Sequence, residues 1–133
     1  MATRKQWLND INQQLNTDLT EKGFIEYHSE DGEHFYTPFD CSIYIKMAIN
    51  DKSIDISLAH TEEDLLNNHF FFLSLQVDND YISFELNYKG HTESGSLGKY
   101  RRATPEQYIN TVRYVSTEVV SAIINAPEVN RGI

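Results

Sequence analysis

The sequence predicts an α+β fold: one antiparallel sheet of about six strands in a meander, flanked by an N-terminal and a C-terminal helix packed on one of its faces. Three observations lead there. Apolar residues recur at helical spacing at both ends of the chain, they alternate with period two through its middle, and short turn sequences separate the alternating runs.

The first helix is expected over 4–22. Trp7, Leu8, Ile11, Leu15 and Leu19 form its apolar stripe, and Asn, Gln, Asp and Thr fill the opposite side. Thr3 followed by Gln6 is a capping-box pattern, which satisfies first-turn amides that have no partner within the helix. Gly23 ends the element because it adopts the left-handed backbone at no steric cost.

The run FIEYHSEDGEHFYTPF then reads as a hairpin with Glu30, Asp31 and Gly32 at its tip, since Asp-Gly tolerates the positive φ of a tight turn. In SIYIKMAI the residues Ile43, Ile45, Met47 and Ile49 share one face. After the Asn50-Asp51-Lys52 turn, Ile54, Ile56 and Leu58 do the same. HTEEDLLNN is a polar interruption, and its Thr61 and Asp64 fit the first turn of a short helix. HFFFLSLQV and, beyond Asp78-Asn79-Asp80, YISFELNY complete the sheet. Their expected core face holds Phe71, Leu73, Leu75 and Val77, then Ile82, Phe84, Leu86 and Tyr88.

The chain is expected to leave the sheet through an aperiodic basic Gly/Ser loop over 89–103. Thr104-Pro105-Glu106-Gln107 starts the last helix, with a Thr cap, Pro in the first turn and Gln at the capping-box position. Ile109, Val112, Val115, Val119 and Ile123 carry it to Pro127. Its β-branched residues have weak helix propensity, so packing on the sheet must hold it. The expected division of one domain over 1–133 is therefore helix 1–23, sheet 24–88, loop 89–103, helix 104–126 and tail 127–133.

Composition limits the function classes. The chain has 20 Asp/Glu and 11 Lys/Arg, a formal net charge of −9. Residues 1–88 hold 16 acidic against 5 basic side chains, while 89–133 hold 4 against 6. This field repels phosphate backbones and anionic membranes and attracts basic proteins, so neither nucleic acid nor membrane is an expected direct partner. One cysteine, Cys41, allows no internal disulfide, and MATRKQWLND lacks the apolar core of a signal peptide; a cytoplasmic location is expected.

No cofactor or metal motif is found. His28, His34, His60, His69 and His91 lack ligand spacing, although His28 and His34 flank one hairpin turn and are positioned to face each other across it. Cys41 follows Asp40, a neighbour that disfavours a thiolate, and reads as a structural thiol. Glu62, Glu63 and Asp64 suit a helix start better than acid-base chemistry. GSLGK lacks the P-loop pattern, because its first glycine would fall at Glu93 and its hydroxyl residue at Tyr100. No constellation indicates an enzyme.

Two features remain. Lys99, Arg101 and Arg102 precede a helix start, with Arg113 two turns along, and form a candidate anion site. By strand alternation Phe70 and Phe72 point away from the core, where Tyr81 and either Tyr44 or Tyr36 join them; such rings mark a partner surface, shared with a second copy or a different protein. The function expected first is a small acidic protein-binding module, an inhibitor, immunity-type or phage-type antagonist, or chaperone of a more basic partner. In architecture alone it is similar to secretion chaperones and immunity or phage-encoded antagonists. The alternative is sequestration of a phosphorylated or nucleotide ligand by the four cations.

Overall fold

The computed structural model describes residues 2–38, 43–77, 81–99 and 103–130. The elements run in the order α1 (Arg4–Glu21), β1 (Phe24–Glu30), β2 (Glu33–Pro38), β3 (Tyr44–Ile49), β4 (Ser53–Ala59), α2 (Asp64–Asn67), β5 (Phe71–Val77), β6 (Tyr81–Tyr88), β7 (His91–Lys99), α3 (Pro105–Asn125) and α4 (Pro127–Asn130). All seven strands form a single sheet in chain order, each antiparallel to the next.

Both long helices begin as their sequences predict. The Thr3 hydroxyl accepts from the Gln6 amide and the Gln6 side chain accepts from the Thr3 amide; Thr104 and Gln107 repeat the exchange at α3. Trp7, Leu8, Ile11, Leu15 and Leu19 of α1 and Val112, Val115, Val119 and Ile123 of α3 are buried on the same face of the sheet. The helices also bind each other. Ser116 on α3 donates to Asp18 on α1 at 2.6 Å, the Tyr108 hydroxyl donates to Asp10, and the Trp7 and Tyr108 rings lie 4.3 Å apart.

The inner face of the sheet is assembled by register. Ile45 pairs with Leu58, Ile56 with Leu73, and Leu75 with Phe84, so each alternating apolar set meets the next and all face the helices. Asp31 and Gly32 both have positive φ, 40° and 81°, as a two-residue hairpin turn requires. At the β3–β4 turn the Asn50 side chain accepts from the Lys52 and Ser53 amides at 3.1 and 3.0 Å. Thr61 accepts from the Asp64 amide, so the polar interruption does contain a short helix.

Two expectations fail. The segment 89–103 is not an aperiodic loop, because Lys89 and Gly90 turn at positive φ, 49° and 87°, and send His91–Lys99 back along β6 as a seventh strand. The described part of the expected tail 127–133 also holds structure. Pro127–Asn130 forms a helical turn that buries Val129, and Glu128 ties it to β6 through the Tyr88 hydroxyl and the Lys89 ammonium at 2.8 Å.

Candidate surface on the uncovered sheet face

Both long helices lie on one face, so the strand positions of opposite parity face away from them. Register assigns Phe35 to β2, Tyr44 and Lys46 to β3, Ser57 to β4, Phe72 and Ser74 to β5, and Tyr81 and Glu85 to β6 on this outer face. Near its centre the residues are small, and Ser57, Ala59 and Ser74 are buried.

Rings stand on one side of that centre. Tyr27 occupies an extra position in β1, where the pairing slips between Glu26 and His28. Its ring lies 6.2 Å from Phe35 and 6.2 Å from Tyr44, edge-on to the latter. Tyr27 remains 40% exposed and its neighbour Ile25 50%. Burial, then the Glu62 carboxylate and then Tyr44, push the Tyr27 phenol up to about 12, so it stays a hydrogen-bond donor throughout the neutral range. At the far side Tyr81 is exposed beneath the Lys99 ammonium, 5.9 Å from its ring centre.

The charge on this face is acidic. Glu30, Glu33, Asp55 and Glu85 stand on it against Lys46 and Lys99. Lys46 is already held by Glu33 at 2.8 Å, and Asp55 accepts from Ser74 at 2.7 Å. An aromatic cluster on a face where carboxylates outnumber cations suits a surface with apolar anchors and basic side chains.

The predicted ring set is corrected in part. Tyr44, Phe72 and Tyr81 are on the outer face, with Phe72 half-buried and stacked on His69 at 5.4 Å. Phe70 precedes β5 and is partly buried against the core at the sheet's end, between His60 and the edge of Tyr88. Tyr36 is turned inward and fully buried, and its hydroxyl donates to Asn16 at 2.7 Å. The sequence pattern does not single out Tyr27 and Phe35. Aromatic residues fall on both parities of the first hairpin, and only the bulge decides which of them meet.

The same bulge separates the two histidines of that hairpin. Unbroken pairing would set His28 against His34; the slip sets His28 against Phe35 instead, leaving the histidines on opposite faces. Each then takes its own carboxylate, His28 with Glu30 at 2.9 Å and His34 with Glu26 at 3.0 Å. Among the described residues no three His, Cys, Asp or Glu side chains converge as metal ligands do.

Of the proposed anion site, Arg101 and Arg102 lie outside the described residues, as do Asp40 and Cys41. The structure does not bring the other two cations together. Lys99 shares the outer face with Tyr81, whereas Arg113 lies on α3 in the helical layer, in a depression lined by Asp10, Gln14 and Thr17 of α1. The Thr104 and Gln107 side chains already engage amides at the helix start.

Among the described residues no helix is long and apolar enough to cross a membrane. Comparison with known proteins finds no matching family model and no significantly similar curated protein or solved structure.

Proposed function

We propose that the chain is a non-catalytic protein-binding module that docks a more basic protein on the uncovered face of its sheet, acting as an inhibitor, an immunity-type or phage-type antagonist, or a chaperone. The reading rests on one-sided cover. Two long helices bury one face completely enough to form the core, while the other presents Tyr27, Phe35, Tyr44, Phe72 and Tyr81 among carboxylates. Aromatic rings lose little side-chain entropy on binding, which is why they dominate interface energetics. The surrounding charge raises the rate of encounter with a basic partner and selects against acidic ones. Cytoplasmic action belongs to this reading, since a lone Cys41 gives the chain no internal disulfide to form.

Sequestration of a phosphorylated ligand gains no support from Lys99 and Arg113, which occupy different layers. The test is affinity capture with the wild-type protein and with a Tyr27→Ser/Tyr44→Ser variant, combined with light scattering. The wild type should retain basic proteins that elute at raised salt, and the variant should lose them. Equal capture by both proteins, or a dimer of this chain that consumes the face, contradicts the proposal.

A further inference from the structure

A second surface lies along the β7 edge of the sheet, on the side of the core. No strand pairs with the free side of β7 among the described residues. The opposite edge, β1, is guarded by its bulge and by Glu26 and Glu30. Strand β7 runs nine residues, HTESGSLGK, without proline, and its single lysine stands at its end.

Its outward-directed backbone groups follow from the turn. A two-residue hairpin closes on a mutually hydrogen-bonded pair, here Tyr88 and His91, and bonding alternates from there. Thr92 and Ser94 therefore turn their amides and carbonyls to the open side. The neighbouring ladder agrees, because the Lys89 amide is turned the other way, to the Phe70 carbonyl at 3.2 Å.

Beside this edge the core is incompletely roofed. Helix α1 packs over β1, β3, β4 and β5, and α3 touches β7, which leaves a groove between α3 and the inner face of β6 and β7. Two adjoining depressions of 410 and 650 Å³ share Leu86, Glu93, Ala122 and Asn125. Phe84, at the floor, reaches the edge because Gly95 has no side chain; a Cβ there would lie 3.1 Å from the ring. Two carboxylates, Glu93 on β7 and Glu118 on α3, line the groove, and no lysine or arginine does so among the described residues.

We propose that the β7 edge and this groove together accept an extended segment of a partner protein as an eighth strand, whose side chains of one parity enter the groove, apolar ones on its floor and lysine or arginine against Glu93 and Glu118. Main-chain pairing supplies affinity in such strand addition, and side-chain pockets supply the choice of sequence. A second copy is a poor occupant. Pairing two β7 edges would gather Glu93 and Glu118 of both chains at one seam with no lining cation, in molecules that each carry −9.

The site is distinct from the outer-face surface, and its test separates the two. The probe is a labelled peptide about eight residues long in which the residues of one parity are valine and lysine in turn and those of the other parity are threonine, with a glutamate-for-lysine peptide as control; binding is followed by fluorescence anisotropy. The wild type should bind the lysine peptide and not the control. Ser94→Pro removes an outward amide at an edge position where proline is tolerated, and should weaken binding at least about tenfold. Glu93→Lys/Glu118→Lys should reverse the preference, while Tyr27→Ser/Tyr44→Ser should bind like the wild type. Amide exchange on the wild type, which needs no substitution, should show Thr92 and Ser94 slowed by the peptide. Absence of binding, equal binding by Ser94→Pro, unchanged exchange at those amides, or a wild-type dimer dissociated by Ser94→Pro would overturn the proposal.

Discussion

Ser116 and Asp18 show how single polar groups hold the helical layer. Ser116 is fully buried in α3, and its hydroxyl supplies a hydrogen to one Asp18 oxygen while Gln14 supplies another to the second. Ser116→Ala leaves a part-buried carboxylate oxygen short of a donor, so unfolding in urea should show a loss of about 1–3 kcal/mol with an unchanged slope. Tyr27 offers a titration instead. Its folded pKa is raised, so its contribution to stability is intact below the ordinary tyrosine value of about 10 and is lost as pH climbs towards about 12. The phenolate absorbance step that disappears in Tyr27→Phe should therefore centre near 12 in the folded protein. In denaturant it should return to about 10.

At the scale of elements, acid should loosen α4. Burial alone would raise the Glu128 carboxyl, but hydrogen bonds from Lys89 and Tyr88 outweigh it and hold the group below the usual carboxylate range. The stabilisation is present above the unfolded-state value and lost as pH falls through the lowered folded one. Amide protection in residues 128–130, taken relative to the intrinsic exchange rate at each pH, should fall in acid before that of α3, and Glu128→Gln should produce the same loss of protection at neutral pH. Unchanged α4 protection in the variant would remove the ion pair from the account.

Which elements could be read beforehand follows from their physics. The helices announce themselves because Thr3 with Gln6 and Thr104 with Gln107 cap stripes of regular spacing. Strands β3 to β6 are equally plain, because large apolar residues recur at every second position along each. Strand β7 has neither property: it is an edge built from Gly, Ser and Thr, mostly exposed, and only its turn and its ladder with β6 make it a strand. The β1 bulge is also invisible in composition, yet it decides that Tyr27 joins Phe35 and Tyr44 and that His28 and His34 part. The candidate surface was thus legible in Tyr44, Phe72 and Tyr81, while Phe70 and the alternative Tyr36 were assigned by alternation that ends, or packs inward, where they stand.

For the whole molecule, the decisive feature is a seven-stranded sheet with both long helices on one side. A solvated antiparallel face is ordinary when it is polar, but exposed rings set beside carboxylates are characteristic of association. The acidic field spread over residues 1–88 falls on the part of the chain that builds most of this face. On the proposed function this field steers the encounter, so the rate of association with a basic partner should fall steeply with salt while the dissociation rate changes little.

The most direct test places a photo-reactive benzoylphenylalanine at Tyr81 or Phe72 on the outer face and, in a matched protein, at Asn9 on the exposed side of α1. Irradiation in host lysate should link the outer-face proteins to a basic polypeptide at low salt and leave the Asn9 protein unlinked. Crosslinks from Asn9 alone, or none from either strand position, would contradict docking on the uncovered sheet face.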